Sequence, residues 1–185
     1  MLNVIDVANY FLKKDKDGKL FNKKLITKIG RNGKSGRNGK TVYEGKVRIN
    51  TYIQLAQNIY IAKTGKKLID VDFYAYDNGA VALEIQEHYL FLLSNINNVH
   101  ENVDFPFSKE EKDFLNKMYV ALEDANVNEL IEISKEDLEW INKSKNYTKD
   151  KQKMDSLKLK DLYKRQYANF IWAFDRIDAN NSNSR

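Results

Sequence analysis

The segment from Ile49 to Lys63 constrains this chain most. Ile53, Ala56, Gln57, Tyr60 and Ile61 fall on one side of a helix over these residues. Gly65 stands where a helix C-terminus favours a residue that tolerates positive φ. A helix with so apolar a side holds only when other elements cover it. The remaining chain must therefore build a core around it, and 185 residues are enough for one domain that does so.

The covering elements are readable in outline. Val4, Val7, Ala8, Phe11 and Leu12 recur at helical spacing, so residues 3–14 are expected to form a short helix with Asn3 as N-cap and Asp6 in the first turn. Leu68 to Tyr76 reads as a strand or extended segment, Gly79 as a turn, and Ala82 to Leu93 as a helix with Leu83, Ile85, Tyr89, Leu90 and Leu93 inward. Asn95 to Phe107 reads as loop. Ser108 with Glu111 is a capping box opening a helix to about Ala125. Asn126 with Glu129 repeats the device, and Ser134 with Asp137 repeats it again ahead of Leu138 to Ile141. Lys143 to Lys153 reads as a solvated linker, and Asp155 to Ile177 as one long helix. On that helix Tyr163, Tyr167, Phe170 and Phe174 form an aromatic row at spacings of four, three and four. Trp172 falls off the row. Burial in the core is the favoured reading of these aromatics, and an exposed Trp172 would be a partner anchor.

Residues 19–48 differ in kind. Two β-capable runs, Leu20 to Ile29 and Thr41 to Arg48, flank a doubled hexapeptide, Gly30-Arg31-Asn32-Gly33-Lys34-Ser35 followed by Gly36-Arg37-Asn38-Gly39-Lys40-Thr41. Asn-Gly occurs twice, a turn signal, so a long basic hairpin or loop is expected. The fold expected overall is mainly α: one compact helical domain over residues 1–178 with a small β-hairpin, or a two- to three-stranded β element formed by 19–48 and 68–76. The Asn- and Ser-rich tail, 179–185, is expected to be disordered.

Charge is segregated along the chain. Lys13 to Arg48 carries thirteen Lys or Arg against three acids. Asp70 to Trp140 carries four Lys against seventeen acids, and Ile141 to Phe170 nine Lys or Arg against three Asp. Such blocks attract one another within the domain or present separate faces to partners. Arg31, Lys34, Arg37 and Lys40, with Lys46 and Arg48 beside them, are the candidate residues for nucleic-acid or partner binding, because glycine-flanked cations suit phosphate contacts.

Several kinds of chemistry lack their residues. With no cysteine there is no disulfide scaffold and no thiolate metal site. Gly33-Lys34-Ser35 and Gly39-Lys40-Thr41 end like phosphate-binding loops, but their glycines are six apart, one residue too many, and a β-capable run follows instead of a helix. Asp15 and Asp17 before Gly18 lack the remaining acids of a calcium loop. His88 and His100 have no partner at ligand or triad spacing. No catalytic residue, metal or cofactor is expected. No run approaches the length of a membrane span, and no basic region precedes a long apolar run at the N-terminus, so a cytoplasmic protein is expected.

The residues also resemble a family. Val7-Ala8-Asn9-Tyr10-Phe11 is similar to the opening of the SocA-like Panacea antitoxin domain. Ile49 to Ala62 follows in register with that family's central helix, and Gly65-Lys66-Lys67-Leu68 with the segment after it. Tyr74-Ala75-Tyr76 and Gly79-Ala80-Val81 occupy the places of its next motifs, and Leu130 to Trp140 resembles its last. Gln57, Tyr60, Tyr76, Gly79 and Trp140 carry the motif core. Thr51, Tyr76, Ala80 and Lys135 stand where the family has Lys, Trp, Pro and His, and the basic segment 19–47 is an insertion. The resemblance implies a non-enzymatic domain that neutralises a protein toxin, of a kind often carried by phages and mobile elements. An alternative is a phage anti-defence protein, such as an anti-CRISPR, whose basic loop contacts guide RNA or blocks the nucleic-acid channel of a host defence nuclease. The partner expected is thus a protein toxin or a host defence nuclease, with RNA or ribonucleoprotein contact on the second reading, and the chain itself a monomer or homodimer.

Overall fold

The computed structural model describes residues 1–22, 24–25, 42–95, 104–145 and 152–182. Their order is β1 (Leu2–Asn3), α1 (Val4–Lys14), β2 (Lys24–Leu25), β3 (Val42–Tyr43), α2 (Glu44–Thr64), β4 (Ile69–Asp70), β5 (Phe73–Tyr76), β6 (Gly79–Ala82), α3 (Leu83–Asn95), α4 (Lys109–Leu122), α5 (Val127–Lys135), α6 (Leu138–Ser144), a 3₁₀ turn (Ser156–Leu159), α7 (Lys160–Gln166) and α8 (Ala168–Ser182). The fold is mainly helical.

α2 is the axis, and it is buried on every side. Ile49, Ile53, Ala56 and Ile59 are enclosed, and so are the polar Asn50, Gln54, Gln57 and Asn58. α1, α3, α4, α5 and α7 pack around it. Edge-on aromatic contacts fill one end of this core: Tyr52 meets Phe11 at 5.5 Å and Phe21 at 5.4 Å between ring centroids. Gly65 closes α2 at φ 71°, its N–H donating to Ile61 O.

Local signals acted as their chemistry predicts. Asn3 Oδ1 accepts from Ile5 N and Asp6 N at the start of α1. The boxes Ser108–Glu111 and Asn126–Glu129 both form. The Asp15 carboxylate accepts the N–H groups of Lys19, Leu20 and Phe21 at 2.8–3.0 Å, making residues 15–21 a tight turn.

The expected small β-hairpin of 19–48 is present as β2 with β3, and among the described residues neither strand pairs with 68–76. β1 pairs with β4 in parallel, β2 with β3 antiparallel, and β5 with β6 as a hairpin across Asp77-Asn78. The third edge on that hairpin comes from the stretch read as a solvated linker. Ala75 N donates to Gln152 O at 3.0 Å, and Met154 N donates to Phe73 O at 2.7 Å. The β-capable run from Thr41 also turns helical at Glu44, because α2 begins one turn earlier than its periodicity suggests.

Three helical readings shift as well. Asp137, not Ser134, caps α6, while Ser134 lies inside α5. Leu90, expected inward, is exposed on α3 together with Phe91. The long C-terminal helix breaks at Tyr167, whose ψ of 17° offsets α7 from α8. Tyr167 is the joint: its N–H donates to Tyr163 O at the end of α7, and its carbonyl accepts Ile171 N at the start of α8.

Candidate functional site

The chemistry-bearing side chains that the fold brings together lie along α2, one or two turns apart. Asn50 Oδ1 accepts Ala82 N at 2.8 Å and holds the end of β6. Gln54 exchanges hydrogen bonds with Ser134: its Nε2 donates to Ser134 O, and its Oε1 accepts from Ser134 Oγ. Ser134 Oγ in turn accepts Ala80 N at 3.0 Å. Gln57 clamps the chain after α2, its Oε1 accepting Leu68 N and Ile69 N at 2.9 Å and its Nε2 donating to Ile69 O at 3.0 Å. Buried amides of this kind stabilise only when their bonds are made.

Asn58 leads to the deepest ionisable group. Its Nδ2 donates to Asp137 Oδ2 and to Tyr167 OH. Asp137 is fully enclosed. It accepts Glu139 N at 2.8 Å and Trp140 N at 2.9 Å as the cap of α6, and the Tyr163 hydroxyl at 2.9 Å. Desolvation outweighs these donors and raises the Asp137 carboxyl above its ordinary value. The same burial, with the Asp137 charge beside them, raises the Tyr163 and Tyr167 hydroxyls. Asn58, Ser134, Asp137 and Tyr163 have no exposed surface, so in this conformation they orient α2, α5, α6 and α7 and do not reach solvent.

The motif residues flank this lattice. Gln57 is part of it. Gly79 opens β6 at φ 108°, and a Cβ there would lie 2.3 Å from Ser134 Oγ, which is why only glycine lets α5 approach β6 so closely. Trp140 Nε1 donates to Tyr76 O at 2.9 Å, tying α6 to the hairpin, and Lys135 Nζ lies 5.5 Å from the Trp140 ring centroid. The Tyr60 ring packs edge-on against Phe114 at 5.5 Å.

The cationic candidates separate. Arg31, Lys34, Arg37 and Lys40 lie outside the described residues, as does His100. Lys46 is half-buried, and burial lowers its ammonium's pKa. Arg48 is 4% exposed and does not belong to a surface patch. Because α2 starts at Glu44, Arg48 lies one turn inside it, 3.5 Å from the Glu44 carboxylate. There it donates to Leu122 O and Ala125 O at the C-terminal end of α4. A guanidinium at that end satisfies orphan carbonyls and the helix dipole.

Among the described residues no group of three or more His, Asp or Glu could hold a metal ion. No described helix is long and apolar enough to cross a membrane. His88 is exposed on α3, its Nδ1 2.9 Å from Glu84 O. An open depression of about 420 Å³ lies between Lys14 to Leu20 and the end of α4, mixing lysines with Asp17, Glu123 and Asp124. Asn50, Gln54 and Asn58 escaped sequence reasoning, and Ser134 and Asp137 were read only as a helix cap. The signal was present: four amides at positions 50, 54, 57 and 58 recur at helical spacing inside an otherwise apolar helix, and each needs an interior partner.

No curated protein and no solved structure matches the chain. The family model of the antitoxin SocA-like Panacea domain matches residues 52–141. That span begins at Tyr52 in α2 and ends at Ile141 in α6, so it takes in the Gln54–Ser134 exchange, the Gln57 clamp, the Gly79 contact and the Trp140–Tyr76 bond. Over residues 52–141, just under half of its length, the chain is similar to the SocA-like Panacea antitoxin domain.

Proposed function

We propose that the protein is a non-enzymatic inhibitor that binds a protein toxin and neutralises it in the cytoplasm of its host cell. The observation that carries this reading is the antitoxin-family match over residues 52–141. The interior supports it. The polar side chains on α2 bond to β4, β6, α5 and α6, which builds a rigid scaffold and leaves recognition to the surface. Charge blocks of opposite sign along the chain favour steered association with a charged partner.

The test is co-expression with the product of the adjacent gene. The expected result is restored growth of cells that express the toxin, and co-elution of the two proteins by size exclusion. Separate elution together with unrelieved toxicity would overturn the reading.

A further inference from the structure

The C-terminal helices α7 and α8 lie beyond the family match, and their outer side is amphipathic in a way the core does not need. Tyr163, Tyr167 and Phe174 are buried. On the opposite side Leu162, Arg165, Asn169, Trp172 and Arg176 are all exposed, at spacings of three, four, three and four. Leu162 and Arg165 stand on α7 and Asn169, Trp172 and Arg176 on α8, the two helices meeting at Tyr167, and together they line the exposed side. Leu162 is 47% and Trp172 61% exposed, and the Arg176 guanidinium lies 4.8 Å from the Trp172 ring centroid.

Solvent-exposed tryptophan is costly, and Trp and Arg are the residue types that dominate binding energy at protein interfaces. The charges along the stripe are not balanced. Asp161 is paired with Lys164, and Asp175 with Lys63. Arg165 makes no ion pair among the described residues, and Arg176 is engaged with the Trp172 ring. The side is therefore net cationic around two apolar anchors. A nucleic-acid track would favour closely spaced cations; here Leu162 and Trp172 alternate with arginine, which suits an acidic protein surface with an apolar pocket.

We propose that the Leu162–Arg165–Trp172–Arg176 stripe is the surface on which the chain docks an acidic protein partner. Identifying that partner with the toxin rests on the function proposed above. The probe is the purified product of the adjacent gene, titrated against the full-length wild type, W172A and R165E/R176E. All substituted side chains are exposed, so unchanged circular dichroism and melting temperature are the control that each variant folds.

The expected result is a Kd raised at least about 30-fold by W172A. The double charge reversal should weaken binding as strongly and remove most of its dependence on salt. A wild-type complex that both folded variants form equally well overturns the surface and leaves the antitoxin reading intact. A wild type that does not bind the adjacent product overturns both. A 20-nucleotide single-stranded RNA that binds the wild type and not the variants also overturns the proposal, in favour of a nucleic-acid surface.

Discussion

Two glycines and one aspartate show how single residues set this structure. A Cβ on Gly45 would lie 1.7 Å from Phe21 O and 2.1 Å from Tyr89 OH. The first of these is backbone that cannot swing aside. Gly45→Ala should therefore destabilise by about 3 kcal/mol, read as a lower midpoint in urea unfolding. At Gly79 the clash is with the Ser134 side chain and the φ of 108° adds strain, so Gly79→Ala should cost about 2 kcal/mol by the same measurement. Gly79→Ala combined with Ser134→Ala should recover part of that loss. Asp137 makes a pH prediction. Its folded-state pKa lies above the ordinary 3.8, so the folded state binds its proton more tightly than the unfolded chain does. The stability this contributes is complete below about pH 3.8 and is lost as pH rises through the raised pKa. Asp137→Asn removes the ionisation while keeping the shape. The wild type's melting temperature minus that of the variant should fall across this window, and a difference that rises instead would show that the hydrogen bonds, not desolvation, govern the carboxylate.

Elements are joined here mainly by side chains of α2 that reach backbone. Gln57→Ala would strip Leu68 N, Ile69 N and Ile69 O of their partner at once. The expected cost is about 3 kcal/mol. Hydrogen exchange should speed up at β4 and at β1, which pairs with it in parallel, more than at α4. How far this architecture is legible in the sequence follows from the range of each interaction. Caps at Asn3, Ser108 and Asn126 act within three residues, and sequence shows them. The same short-range logic misassigned Ser134, because its hydroxyl is taken by Gln54, eighty positions away, and a local motif carries no sign of that competitor. The 152–154 edge on the hairpin was invisible for the same reason: it consists of backbone bonds, which any sequence could make. Arg48 was misread through the start of α2. A helix beginning at Glu44 turns that cation inward to the end of α4, whereas a strand would have left it beside the basic segment.

At the scale of the whole molecule, the family-matched segment is not a self-sufficient unit. It ends at residue 141, yet Asp137 within it depends on the hydroxyls of Tyr163 and Tyr167, and Phe114 packs edge-on against Phe174 at 6.0 Å. On its other flank, Phe11 and Phe21 close the space around Tyr52. Ending the chain at residue 145 would delete Tyr163, Tyr167 and Phe174 together. Losing one buried aromatic costs about 3–5 kcal/mol, so three cost about 9–15 kcal/mol, as much as the roughly 5–15 kcal/mol by which domains are stable, before counting a buried carboxylate left without two donors. The 1–145 fragment should therefore lack a cooperative thermal transition and bind the dye ANS while keeping much of its helical circular dichroism. W172A, which alters only the outer stripe of the same helices, should melt like the wild type. A 1–145 fragment that unfolds cooperatively at the wild-type temperature would show that α7 and α8 are an appendage to a core that holds the family-matched segment. The loss of cooperativity expected instead would make them part of the fold on their inner side, and leave only their outer side free for recognition.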